Sequence, residues 1–272
     1  MKIIVYGMGI IGASFAAALK AAGHTVYGKN RSSAPLEIAL ERGMIDGVVS
    51  SYEGADVVIL ALPPKPTMRE LDEGVFPENV IVTDICGVKG ALEKLVFSKP
   101  RSYRYVGMHP MAGKEKSGIA VADVNLFKGK NLVITACDRT EPSALETVER
   151  LGIDAGFGRI VKCTADEHDA KIALTSQLAH IVSNAYIRSS QAKNIVGFTG
   201  GSFQDMTRVG GVDENLWTDL YFYNRESLLA ETEGLISRLE QYCEALRQGD
   251  EEEMRRLLKE GRLAHAAHFS ET

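Results

Sequence analysis

The chain has 272 residues, 45% hydrophobic and 25% charged, which is the balance of a globular protein and excludes a disordered or collagen-like chain. The balance of 31 basic against 36 acidic side chains leaves a net charge of −5, which argues against a general nucleic-acid binder. No apolar run nears the ~20 residues of a membrane span, no secretory signal opens the chain, and Cys86, Cys137, Cys163 and Cys243 contain no CxxC pair, so a cytoplasmic protein without a metal site or a disulfide framework is expected.

Residues 2–6 form an apolar run that leads into glycines and then into a helical pattern over 11–22. Residues 24–27, 57–62, 80–83, 105–107 and 132–135 read as further short strands, separated by helical patterns or loops, and 159–162 as the last one. Strand–helix alternation of this kind predicts a parallel α/β sheet of Rossmann type. The texture changes at Thr164, a candidate N-cap with Glu167 three residues on, as in a capping box. Residues 166–192 carry apolar side chains at helical spacing. A second long helical region spans 216–247, with a break expected near Gly234. A third spans 251–263, with Glu251/Arg255 and Glu252/Arg256 at i, i+4. The reading is a dinucleotide-binding domain over 1–163 and an all-helical domain over 164–272. Helices this long rarely bury their apolar faces within so small a domain, so subunit contacts are expected there.

Gly7-Met8-Gly9-Ile10-Ile11-Gly12 is a GxGxxG loop between the first strand and a helix. Its glycines permit the tight turn, the close approach of a pyrophosphate and the packing of helix on strand, and the helix N-terminus receives the anion. The context of a βαβ unit is what makes this short motif specific. At the end of the second strand, where an acid would bind the ribose of NAD, the sequence reads Lys29-Asn30-Arg31-Ser32-Ser33. An uncharged residue between two bases favours the 2′-phosphate of NADP, with NAD the alternative.

Gly107-Met108-His109-Pro110-Met111-Ala112-Gly113 follows a predicted strand, which would bring His109 to the cofactor crevice beyond the strand ends. An imidazole suits removal of a hydroxyl proton while hydride leaves the same carbon. Spacing alone favours a loop histidine bonded to backbone. Further on, Ser176, His180 and Asn184 recur at i, i+4, i+8 as one polar stripe, with Gln177 beside the first. Residues 200–208 read as a glycine-containing loop ending in Arg208, an arginine able to clamp a carboxylate bidentately or to form a surface ion pair.

Together these pieces resemble the prephenate dehydrogenases of the TyrA type. The glycine loop comes first, followed by Thr83-Asp84-Ile85-Cys86-Gly87-Val88-Lys89-Gly90. Then come His109-Pro110-Met111-Ala112-Gly113-Lys114-Glu115-Lys116-Ser117-Gly118, the stripe at Ser176 and His180, and 203–208 followed by Trp217. The resemblance runs to about residue 260. It implies oxidative decarboxylation of prephenate to 4-hydroxyphenylpyruvate with NAD(P), or of its amino analogue arogenate to tyrosine, by a homodimer joined through its helical domain. It implies His109 as the base on the ring hydroxyl and Arg208 as the carboxylate clamp. His180, Ser176, Gly87, Gly201 and Trp217 would line the substrate pocket, while Gly7 to Gly12, Asn30, Arg31, Ser32, Leu62 and Pro63 would line the cofactor site. Two departures stand out: Gly87 where many members carry a serine, and Gln177 and Ala179 where the family has a histidine and a proline. The chain ends too early for an added mutase or regulatory domain, so a monofunctional enzyme is expected. A rival of the same class, a hydroxyacid dehydrogenase, would need Lys171 as its catalytic lysine. A rival of another class, a non-catalytic NADP sensor, would have no use for the histidine and the arginine.

Overall fold

The computed structural model describes residues 1–113 and 118–270. Lys114, Glu115, Lys116 and Ser117 of the motif above lie outside the described residues. The first part of the chain runs β1 (Lys2–Tyr6), α1 (Ile10–Ala21), β2 (Thr25–Lys29), α2 (Ala34–Glu41), β3 (Gly47–Val48), β4 (Val57–Leu60) and α3 (Pro64–Glu73). It continues through β5 (Ile81–Asp84), α4 (Gly90–Val96), β6 (Arg104–Pro110), β7 (Asn131–Thr135), α5 (Pro142–Asp154) and β8 (Arg159–Cys163). The eight strands form one sheet in the order β3-β2-β1-β4-β5-β6-β7-β8. The strand order reverses at β1, which pairs β2 on one side and β4 on the other. A ligand crevice lies at such a switch point, beyond the carboxyl ends of the strands.

The sheet is mostly, not wholly, parallel: β7 runs antiparallel to β6, with His109 opposite Val133. That pairing extends β6 through Pro110, so His109 belongs to the end of the strand and not to the loop after it. Strand β4, Val57-Val58-Ile59-Leu60, is buried at every position because both sheet faces are covered. Ile3, Val5, Ile59 and Val106 join Phe15, Leu19, Phe127 and Val148 in the core on one face. Ile4, Val58, Leu60 and Val82 join Leu71, Leu92 and Val96 on the other.

After β8 come α6 (Ala165–Ile172), a π-helical turn (Ala173–Leu178), α7 (Ala179–Ile187), α8 (Gly201–Thr207), α9 (Glu214–Tyr223), α10 (Arg225–Gln248) and α11 (Glu251–Ser270). The capping box at Thr164 and Glu167 is formed in both directions. Four expectations need correction. The single helix over 166–192 is interrupted by the wide π turn. The segment 200–208 is helical, with Arg208 at its C-cap. The break in the second long helical region falls at Asn224 and not at Gly234, because the Asn224 amide is drawn into buried hydrogen bonds and its backbone leaves helical geometry (φ −118°, ψ 30°). A glycine inside a helix costs only about 1 kcal/mol, and α10 carries Gly234. On α11, Arg255 pairs with Glu251 as expected, while Arg256 pairs with Glu253 and Glu260 instead of Glu252.

The chain forms two compact units, Met1–Asn224 and the part from Arg225 onward. The change of texture at Thr164 marks where the sheet ends. Helices α6 to α9 belong to the first unit with the sheet.

Candidate active site

The glycine loop sits at the carboxyl end of β1, and each glycine has its own reason. Gly7 has φ +106°, and a Cβ there would fall 2.2 Å from Ala61 O. At Gly12 a Cβ would fall 1.9 Å from Gly7 O, so only glycine lets α1 pack this close. At Gly9, the N-cap of α1, a Cβ would meet nothing within 4 Å, and no side chain caps the helix. Open space over a glycine at an uncapped helix N-terminus fits a pyrophosphate. Met8 is buried, and Ile10 and Ile11 are half-buried on the first turn. Leu62 and Pro63 follow β4 on the opposite side of the switch point.

Asn30 holds this corner together. Its Oδ1 accepts the Met8 N–H (3.1 Å), and its Nδ2 donates to Ser32 O (3.0 Å) and Ser32 Oγ (3.2 Å). Of the two flanking bases, Lys29 is turned inward. Its ammonium pairs with Glu70 (3.4 Å) and lies over the rings of Tyr6 (4.6 Å) and Tyr52 (3.9 Å). Only Arg31 is exposed, with Ser32 and Ser33, at the start of α2.

His109 ends β6, on the same rim of the sheet. Its Nδ1 lies 2.9 Å from His168 Nε2, and His168 Nδ1 lies 2.7 Å from Asp169 Oδ1. The Asp169 carboxylate also accepts the Lys89 N–H (2.9 Å) and Gly90 N–H (2.8 Å) at the start of α4. Burial holds the His168 imidazole below its usual range despite the adjacent carboxylate. A neutral His168 that donates to Asp169 through Nδ1 must accept through Nε2. His109 therefore donates through Nδ1, which leaves its Nε2 with a free lone pair. Burial first, then His168 and the Lys89 cation, push the His109 imidazole well below the ordinary histidine range. The geometry thus sets one neutral imidazole in one tautomer, its basic nitrogen turned to Gly87: a methyl group at Gly87 would stand 3.6 Å from His109 Nε2 and 3.5 Å from Leu220 Cδ2.

Beneath this lies a wholly buried trio. Lys89 Nζ binds Asp84 Oδ1, and Asp84 Oδ2 accepts the Tyr105 hydroxyl (2.6 Å). Breaking such a pair by removing one partner strands a buried charge, at about 3–5 kcal/mol. The Cys86 thiol, pushed up to about 12 by burial, donates to Thr67 Oγ1 (3.3 Å) and Leu62 O (3.5 Å).

In the helical part, His180 Nδ1 donates to Ser176 O (2.9 Å), and its ring lies against Trp217, tilted by 32° with centroids 3.8 Å apart. Ser176 lies in the π turn, where widened helices often serve function. Asn184 Nδ2 donates to Gly210 O (3.1 Å), which ties α7 to the turn just after Arg208. Arg208 is exposed, and Gly201 opens α8 at a point where a Cβ would meet nothing within 4 Å. Helix α9 links the two groups of site residues: Trp217 meets His180, and Leu220 reaches the Gly87 and His109 side. Lys171, which a hydroxyacid dehydrogenase reading would need, is exposed in the last turn of α6. His168 and Asp169 were not anticipated from sequence. A His-Asp pair in the first turns of a capped helix looks like solvated polarity, and nothing local announces a partner 59 residues away.

Residues 15–161 match the family model of the prephenate dehydrogenase nucleotide-binding domain, and residues 164–260 that of the prephenate dehydrogenase dimerization domain. The chain is 28% identical over 274 residues to a prephenate dehydrogenase of Bacillus subtilis, covering 94% of this chain and 73% of that one. It superposes on the arogenate dehydrogenase of Synechocystis with a TM-score of 0.81 at 30% identity, over 98% of this chain and 100% of the other. For the prephenate dehydrogenase of A. aeolicus in complex with hydroxyphenyl propionate and NAD+, the TM-score is 0.86 at 28% identity, over 98% of both chains. With both family models matched along nearly the whole chain and the glycine loop and His109 on one sheet rim, the chain belongs to the prephenate dehydrogenase family.

Proposed function

We propose that this oxidoreductase oxidises prephenate, with NADP as the preferred cofactor, and that His109 is its general base. The observation that carries the reading is the Asp169–His168–His109 chain, which leaves His109 Nε2 as an unprotonated acceptor beside the cofactor crevice. His109 Nε2 takes the proton of the ring C4 hydroxyl as C4 loses hydride. The bound nicotinamide supplies the hydride acceptor. The C4 carbon becomes a ketone, the bond to the ring carboxylate breaks, and its electron pair enters the ring as CO₂ leaves. Aromatisation makes the sequence effectively irreversible. The residues contribute orientation, one base and anion binding.

Arg208 clamps a substrate carboxylate. His180, with Ser176, Trp217, Gly201 and Gly87, lines the pocket around the ring. Gly7 to Gly12, Leu62 and Pro63 hold the cofactor, and Asn30, Arg31 and Ser32 meet its adenosine end. Lys29 is committed to Glu70, so the preference for NADP rests on Arg31, Ser32 and Ser33 at the head of α2 and on the lack of a carboxylate at Asn30. Residues 1–163 act as the dinucleotide-binding part, and 164–272 carry the pocket helices and the contacts of a homodimer. The cytoplasm is the proposed compartment. Arogenate is the second substrate considered, because a structural relative at 30% identity is an arogenate dehydrogenase.

Initial rates at 340 nm with both substrates and both cofactors test this. Turnover is expected to be fastest with prephenate and NADP. Arg208→Ala should lower kcat/KM for prephenate roughly 10- to 150-fold, the loss of one charge-assisted bond, and leave KM for the cofactor nearly unchanged. Unchanged kcat/KM for prephenate would remove Arg208 from the pocket, and no absorbance change with either substrate would overturn the activity.

A further inference from the structure

Two buried side-chain amides lie outside the groups that touch substrate or cofactor in the reading above. Gln177, 2% exposed, sits in the π turn, and Asn224, 5% exposed, closes α9. Asn224 Nδ2 donates to Gln177 Oε1 (2.8 Å) and to the backbone carbonyl of Asp169 (2.8 Å), while Gln177 Nε2 donates to Leu220 O (3.2 Å). These three bonds join the segment carrying the His168–Asp169 pair to the helix carrying Leu220 and Trp217. A further polar tie on α9, Asp219 to Lys65 (2.6 Å), involves a lysine 67% exposed. An exposed ion pair contributes little, whereas a buried amide left without its partner is costly, so the amide pair outweighs that ion pair in placing α9.

We propose that Gln177 and Asn224 are positioning residues: together they form a joint that sets the His109–His168–Asp169 relay against the substrate-facing side of α9. The inference rests on His109 being the base. Removing the joint lets α9 and the relay shift relative to each other by a fraction of an ångström or more. Misplacement on the order of 1 Å lowers a rate by about 10²-fold without touching cofactor affinity.

The test uses the near-isosteric variants Gln177→Met and Asn224→Leu, and the double variant, in the full chain well below their melting temperatures. Expected for each single variant are a roughly 10- to 100-fold lower kcat, a displaced acid limb of kcat against pH, and an unchanged Kd for NADPH. The double variant should fall short of the product of the two single losses, since the bond between the two amides is lost in both. The ¹⁵N resonances of the His109 and His168 imidazoles give a readout independent of turnover, and their tautomer pattern should change in both single variants. If the variants melt earlier but keep wild-type kcat, acid limb and imidazole resonances, the amides only pack the core and the proposal fails. Should Asn224→Leu not fold, Gln177→Met decides by the same readouts. If the wild type turns over neither prephenate nor arogenate, the activity reading fails separately, and the imidazole resonances still decide on the joint.

Discussion

The surroundings of His109, the proposed general base, disfavour the imidazolium form. Burial, the neighbouring His168 and the Lys89 cation all act in that direction. A base must be neutral to accept a proton, so activity should persist as pH falls through the ordinary histidine pKa of about 6.5 and be lost only below it. A kcat/KM profile between about pH 4.5 and 8 should therefore show its acid limb below 6.5, and a limb at or above that value would contradict the assignment. Stability follows the same sign. The unfolded chain binds this proton at higher pH than the folded one, so the contribution is full above about pH 6.5 and declines as pH drops through it. His109→Asn should retain cofactor binding and lose roughly 10²-fold or more in kcat. His109 was legible in the sequence because a short motif surrounds it. The tautomer that leaves its Nε2 unprotonated was not, because that depends on His168 and Asp169, brought in on helix α6 and oriented by the Lys89 and Gly90 amides.

At the scale of elements, the β1–α1 loop was readable as a pattern, since glycine spacing directly encodes where a Cβ has no room. The end of β2 was readable only in part. Two bases flank Asn30 in sequence, yet successive side chains on a strand point to opposite faces, and Lys29 goes to the interior beside Tyr6, Tyr52 and Glu70. Asn30→Asp keeps an acceptor for the Met8 N–H but puts a carboxylate where a 2′-phosphate would approach. The ratio of kcat/KM for NADP over NAD should fall by about tenfold or more, measured by initial rates with each cofactor, and a ratio unmoved by the substitution would detach Asn30 from cofactor choice. The π turn at Ala173–Leu178 left no trace in the hydrophobic spacing, because a single wide turn shifts the phase of α7 without altering its composition. The end of α9 at Asn224 was equally hidden, since what stops the helix is a side-chain amide bonded to distant partners.

At the scale of the whole molecule, α10 presents Leu229, Ile236, Leu239 and Leu246 on its surface, each at least 50% exposed in the single chain. With Thr232 and Cys243 they fall at a and d positions of a heptad repeat, the pattern of a helix that packs against another. An a/d stripe of this kind fits the matching helix of a second copy of the chain. A homodimer is expected by sedimentation equilibrium, and Leu239→Glu should shift it towards monomer; a wild type that sediments as a monomer at micromolar concentration would contradict it. The sequence by itself determined the alternation of strands and helices, the glycine loop and the residue types of the site, because local sterics and periodic burial are written residue by residue. Only the tertiary structure decided the antiparallel β7, the inward turn of Lys29 and the relay behind His109. Each of these depends on contacts between residues far apart in the chain, and no local propensity carries them.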